Sequence, residues 1–211
     1  MTPAPAAASL DPPRAAPTRY VDDRAWFDRS ALELAPELLG MLLVHDLPLG
    51  RIVGRIVEVE AYLGPEDLAA HSSRGRIRRN AVMFGPPGHA YVYLVYGLHH
   101  CLNVVAGPGS KPEAVLLRAA QIVEGLEIAH QLRPDAAPVR LAAGPGNLAA
   151  AFGVNRSLDG ADLLVGPLRL AFGDAPSRVA RSARIGVEYA RSWALEPLRF
   201  LITDDPHRSR P

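Results

Sequence analysis

Ile56-Val57-Glu58-Val59-Glu60-Ala61-Tyr62-Leu63-Gly64-Pro65-Glu66-Asp67-Leu68-Ala69-Ala70-His71 is the stretch on which the fold turns. It begins with the alternation of a strand, setting Ile56, Glu58 and Glu60 on one face and Val57, Val59 and Ala61 on the other. Gly64-Pro65 ends the strand, because proline lacks the N–H that a ladder needs and glycine accepts unusual backbone angles. Glu58, Glu60 and Tyr62 therefore share a side at the end of a rigid element, and His71 arrives shortly after the turn. Spacing alone leaves two readings open: a catalytic pocket, or an ordinary polar sheet face.

The neighbouring sequence supplies partners for this strand. Residues 42–46 read as a second strand, joined to residues 50–62 by a turn at Pro48-Leu49-Gly50. Residues 28–40 read as a helix, with Gly40 at its end and Pro36 dividing it into two short pieces. Residues 67–79 read as part helix, part basic loop. After the strong turn Gly85-Pro86-Pro87-Gly88 comes the strand Ala90-Tyr91-Val92-Tyr93-Leu94-Val95-Tyr96, bent or ended by Gly97, and extended character resumes over 98–105. Residues 114–119 form a further strand and 124–133 an amphipathic helix. Gly144-Pro145-Gly146-Asn147 opens another helix, whose first backbone N–H groups can receive a phosphate. Closing strands are expected over 168–172, 185–189 and 198–202, with Trp193 and Pro197 in the connection. Strands clustered around turns, with helices out of strict alternation, predict an α+β fold with a curved antiparallel sheet.

A chain of 211 residues with 48% hydrophobic content buries one good core and is too short for two large ones. One domain is expected over residues 19–204, between an Ala/Pro-rich disordered tail (1–18) and a loose end (205–211). The first residues lack the basic start and apolar core of a secretory signal, and no uncharged run reaches the length of a membrane span. Cys101 is the single cysteine, which excludes an intramolecular disulfide and fits a reducing compartment. A cytoplasmic protein is the expectation, nucleoid-associated if bacterial. The net charge of +1 excludes a uniformly basic, histone-like chain. Arg74, Arg76, Arg78 and Arg79 nevertheless crowd together just after His71, as a solvated face or as a patch that neutralises phosphates. Tyr91 and Tyr93 share a strand face, with Tyr96 at the other face or at the tip. Such a strand is either core or a stacking wall with one aromatic projecting into something flat, and nearby arginines make nucleobases the obvious flat partner.

Taken in order, several motifs closely resemble the alkyladenine (3-methyladenine, methylpurine) DNA glycosylase family. They are Glu-Ala-Tyr-Leu-Gly-Pro-Glu-Asp from Glu60, Ala-Ala-His from Ala69, Met-Phe-Gly-Pro-Pro-Gly from Met83, Tyr-Val-Tyr-Leu-Val-Tyr-Gly from Tyr91, Cys-Leu-Asn-Val from Cys101 and Val-Leu-Leu-Arg-Ala from Val115. Ala-Gly-Pro-Gly-Asn-Leu from Ala143, Arg-Ile-Gly-Val from Arg184 and Pro-Leu-Arg-Phe from Pro197 agree, so the resemblance covers about residues 25–202. It implies a single α+β domain, its curved antiparallel sheet surrounded by helices as in the C-terminal domain of formyltransferases. It also implies excision of alkylated or deaminated purines from double-stranded DNA, each flipped out of the stack before its N-glycosidic bond is hydrolysed.

By the same resemblance, Glu60 matches the general base, Arg118 the arginine beside the attacking water, and Ile185 the residue whose backbone carbonyl completes that water's contacts. Tyr62, His71 and Tyr93 match the residues that enclose the flipped base, and Asn103 the one that selects among purines. Tyr96 matches the wedge that fills the gap in the helix, with Gly97 freeing the backbone to project it. Arg76, Arg79, Gly144 and Gly146 are the expected DNA-backbone contacts. No metal or cofactor is needed, and no lysine lies in the motifs to form a Schiff base, so a monofunctional enzyme is expected. A monomer suffices, since flipping needs one pocket.

One departure stands out: the family's Gly-Arg-Thr-x-Arg-Asn is here Gly75-Arg76-Ile77-Arg78-Arg79-Asn80, which loses a hydroxyl and adds a charge. His99, His100 and Cys101 do not make a metal site, because neighbours on a strand point to opposite faces. Two other functions compete with the glycosylase reading. One is a lesion-binding module that no longer hydrolyses; the other is a metal-dependent hydrolase using Glu58, Glu60 and His71.

Overall fold

The computed structural model describes residues 19–209. The expected tail over 1–18 and residues 210–211 lie outside the described residues. An eight-stranded antiparallel sheet is built around β2 (Gly50–Tyr62), whose bounds are those expected from its sequence. Along one edge β2 pairs with β5 (Glu113–Glu124). Its other edge is shared by β1 (Leu42–Leu47) against residues 50–55 and β8 (Arg199–Ile202) against residues 58–60. β3 (Ala90–Val95) and β4 (His99–Ala106) continue the sheet beyond β5, and β6 (Leu168–Ala171) continues it beyond β1. β7 (Val179–Ser182) pairs with β8. The architecture is α+β in a single domain, as the sequence predicts.

Helices pack on this sheet through small apolar faces. α1 (Ala31–Leu38) starts in a reciprocal capping box between Ser30 and Glu33 and buries Leu34 and Leu38. Pro36 lies inside α1 and does not divide it. The helix ends two residues later, so one missing N–H is all the proline removes. α2 (Leu126–Leu132) and α3 (Pro145–Ala151) follow. Phe152, just past α3, lies so close over Gly54 of β2 that a Cβ there would sit 2.6 Å from its ring. Burying a side chain of this size stabilises the fold by roughly 1.5–3 kcal/mol, and Phe27, Ile52, Ile56 and Leu117 join it in one core.

The β2–β5 ladder carries three irregularities, of which the two beside Glu58 are opposed. Between Ile56↔Ala120 and Glu58↔Ala119, β2 spends an extra residue, Val57; between Glu58↔Ala119 and Val59↔Leu117, β5 spends an extra one, Arg118. Bulges of this kind re-aim side chains. Here they turn Arg118 toward the two glutamates. Glu58 and Glu60 are both fully buried, which overturns the reading of this strand as an ordinary polar sheet face.

Two segments differ from expectation. Residues 185–189 are not a strand: Gly186 has φ +76°, and a 3₁₀ segment, Glu188–Ala194, begins directly after Val187. The strand of this region is β7, half-exposed along its length and thus without a hydrophobic signature. Residues 205–209 are not loose either. Asp205 meets Arg55 at 3.5 Å, Arg140 donates to the Arg208 carbonyl at 3.0 Å, and Ser209 is buried against Glu58. Their polar composition reads as solvated, but they find charged partners at the sheet. Among the described residues no helix is long and apolar enough to cross a membrane.

Candidate active site

A cavity of about 650 Å³ opens beside the end of β2, lined by Tyr62, His71, Tyr93, Asn103, Arg118 and Ile185 together with the Tyr96-Gly97 tip. The aromatic wall follows from strand periodicity: Tyr91 and Tyr93 project from one face of β3 with ring centroids 5.3 Å apart. His71 meets the edge of Tyr93 at 4.5 Å. Its Nδ1 lies 2.8 Å from the Tyr91 hydroxyl. Asn103, opposite Tyr91 on β4, donates from Nδ2 to the Tyr91 carbonyl at 3.0 Å, which leaves its Oδ1 as the acceptor. Tyr96 is 92% exposed and, with φ 51°, stands at the hairpin tip in a backbone conformation that side chains seldom adopt. Gly97 follows at φ 71°.

Glu60 sits immediately behind this lining. Its Oε1 accepts from the Ile185 amide at 2.8 Å and lies 3.2 Å from Arg118 Nη1, and its Oε2 accepts from the Tyr62 hydroxyl at 2.9 Å. Every partner is a donor, the complement of a carboxylate. Burial works against the charge of Arg118, but Glu60 and Glu58 more than offset it and raise its pKa above the ordinary value. Burial, then the neighbouring Glu60, holds the Tyr62 phenol well above its usual range, so it remains a donor. The resemblance gives the Ile185 carbonyl the contact at the reaction centre; the contact made to Glu60 comes from its N–H.

Arg184 fixes the loop that delivers Ile185. It pairs with Asp67 at 2.5 and 2.9 Å, donates to the Ala61 and Trp193 carbonyls, and lies 4.7 Å over the Tyr62 ring. Asp67 also accepts from the Leu63 and Ala69 amides, closing the turn that carries the chain from Tyr62 to His71. Sequence reasoning missed this pair. An aspartate following Gly-Pro-Glu is a signal for such an Asx turn, but its buried partner lies 117 residues away. Tyr189, Val187 and Met83 also line the cavity without having been singled out.

The expected DNA-backbone residues separate. Arg76 and Arg79 are both exposed, and Arg79 turns onto the aromatic strand, 5.5 Å from the Tyr93 ring and bonded to the Leu94 carbonyl. Gly144 is corrected: its amide donates to the Arg118 carbonyl at 3.0 Å and is not available to a phosphate. Gly146 stays at the start of α3. The metal-hydrolase reading loses its ligands, because guanidinium and amide donors occupy Glu58 and Glu60 while His71 faces Tyr91.

The electrostatics of His71 give a stability prediction. Burial, then Arg79 and Arg74, lowers its pKa from 6.5 to about 4. Above the unfolded value the ring is neutral in both states. Between 6.5 and about 4 the unfolded chain binds a proton that the folded chain refuses, so stability falls as pH drops through this window. The full loss is about 3 kcal/mol. Urea midpoints measured across the window should fall less steeply for His71→Asn than for the wild type; equal slopes would acquit His71.

The family model described as methylpurine-DNA glycosylase matches residues 25–206. A protein of Methanocella arvoryzae, provisionally named 3-methyladenine DNA glycosylase, is 48% identical over 87% of this chain and 92% of its own length. One of Streptomyces avermitilis with the same name is 48% identical over 91% and 92%, and one of Myxococcus xanthus 45% identical over 88% and 92%. The chain belongs to the methylpurine-DNA glycosylase family and is a DNA glycosylase, a hydrolase of N-glycosidic bonds.

Proposed function

We propose that the protein is a monofunctional glycosylase that flips a damaged purine out of duplex DNA and hydrolyses its N-glycosidic bond with a water activated by Glu60. The observation that carries this reading is the buried Glu60–Arg118 pair placed directly behind an aromatic cavity. The flipped base enters between Tyr62 on one side and His71 with Tyr93 on the other; π faces attract an electron-poor purine. As it enters, the Tyr62 hydroxyl releases Oε2 of Glu60 toward the sugar. Water then attacks C1′ and gives its proton to Glu60, while the electrons of the C1′–N bond leave with the purine. The carboxylate also stabilises the positive charge that develops on the sugar. Arg118 and the Ile185 amide hold Oε1 in place meanwhile.

Tyr96 fills the gap in the stack, and Arg76, Arg79 and Gly146 contact the phosphate backbone. Asn103 disfavours purines bearing a 2-amino group that collides with its side chain, a misfit worth about 1–3 kcal/mol. Alkylpurines and hypoxanthine are both within the pocket's chemistry. One chain holds a complete pocket, so the protein acts as a monomer.

The test incubates the protein, in chelator, with dimethyl sulfate-treated duplex and with a hypoxanthine duplex, then cleaves abasic sites with alkali. Intact strands before alkali and cleaved strands after it are expected. Tyr96→Ser should excise at least about tenfold more slowly, having lost the wedge that holds the flipped state. Damaged purines left in place by the wild type would end the enzymatic proposal.

A further inference from the structure

Glu58 is fully buried, lies two residues from Glu60 and has no role in the steps above. Its Oε1 accepts from Arg118 Nε at 2.8 Å, Arg199 Nε at 2.8 Å and Ser209 Oγ at 2.6 Å; its Oε2 accepts from the Ser209 amide at 2.6 Å. Arg118 Nη2 also meets Ser209 Oγ, at 3.3 Å. One edge of the planar guanidinium, formed by Nε and Nη2, is thus committed to Glu58 and Ser209. Its Nη1 meets Glu60 in a single contact of 3.2 Å.

We infer that Glu58 and Ser209 are positioning residues for the reaction, a clamp that holds Arg118 back from a two-pronged pairing with Glu60. An arginine beside a carboxylate favours the forked geometry, which would fill both oxygens and remove the acceptor that the water needs. With its Nε–Nη2 edge anchored, Arg118 cannot rotate that edge into a fork with Glu60. It supplies charge and orientation to Oε1 while Oε2 remains for the substrate side. Residues 205–209 owe their ordered path to further anchors, Arg55 on Asp205 and Arg140 on the Arg208 carbonyl, which bring Ser209 to the back of the site. The inference rests on Glu60 acting as the base.

The test uses the full chain with Ser209→Ala, Ser209→Thr, Glu58→Gln and Glu60→Gln. It measures single-turnover purine release from dimethyl sulfate-treated duplex, and affinity for a duplex holding a tetrahydrofuran abasic analogue. Ser209→Ala should slow release about tenfold and Glu58→Gln about a hundredfold, with affinity changed less than about twofold. Ser209→Thr, which restores the hydroxyl, should recover most of the rate. Wild-type rates in Ser209→Ala and Glu58→Gln overturn the clamp, as does a Ser209→Thr variant as slow as Ser209→Ala. Glu60→Gln separates the two levels. If it is inactive while Ser209→Ala is unimpaired, only the clamp fails; if it is active, the underlying assignment fails.

Discussion

Glu60→Gln is expected to lower single-turnover release of methylated purines by at least about 10³-fold while leaving binding of the damaged duplex intact. Glutamine keeps the size of the side chain and an oxygen for the Ile185 amide and Arg118 Nη1, so the local packing survives. What it removes is the proton acceptor and the negative charge facing the sugar. The two losses fall on the same step and are felt in the transition state more than in the bound state. The measurement pairs a quenched-flow time course with a binding curve on the same duplex. An unchanged rate would remove Glu60 from the chemistry; a rate and an affinity that fall together would assign it to binding instead.

Arg184→Gln is expected to destabilise the fold by about 3–5 kcal/mol, a large share of a typical total of 5–15 kcal/mol. The substitution leaves Asp67 buried without its counter-charge and orphans the Ala61 and Trp193 carbonyls. Burial acts against the Arg184 charge, yet the bond to Asp67 outweighs it and raises the pKa above the ordinary value. Urea unfolding of the single variant and of Arg184→Gln/Asp67→Asn, which removes the charge and keeps an acceptor for the turn amides, distinguishes an orphaned charge from lost packing. The double variant should recover much of the stability. A single variant as stable as the wild type would refute the anchoring role.

The axis of the fold was legible because β2 and its turn use strong local signals: alternation, then Gly64-Pro65. Tyr62, His71 and Tyr93 were legible as a set because their motifs stand in order, and the cavity lining brings them together. Other features depend on partners distant in sequence, which no local pattern encodes. Glu58 looked idle on its strand, yet its contacts come from Arg199 and Ser209 as well as Arg118. β7 escaped because an edge strand that buries little shows no period. The amide of Gly144 looked free because the carbonyl that takes it belongs to Arg118, on another strand. Residues 185–189 looked like a strand because Ile185 and Val187 alternate, but Gly186 bends the chain directly after Ile185, whose own amide donates to Glu60.

The opposed bulges at Val57 and Arg118 tie the lengths of two strands together at this point. Removing one residue from β2 alone would swap the faces of Glu60 and Tyr62, and removing Arg118's extra place from β5 alone would carry the guanidinium away from both carboxylates. A change of length at either bulge therefore needs a matching change at the other to keep Arg118 facing both glutamates. A change of length at a turn, by contrast, leaves the spacing between guanidinium and carboxylates as it is.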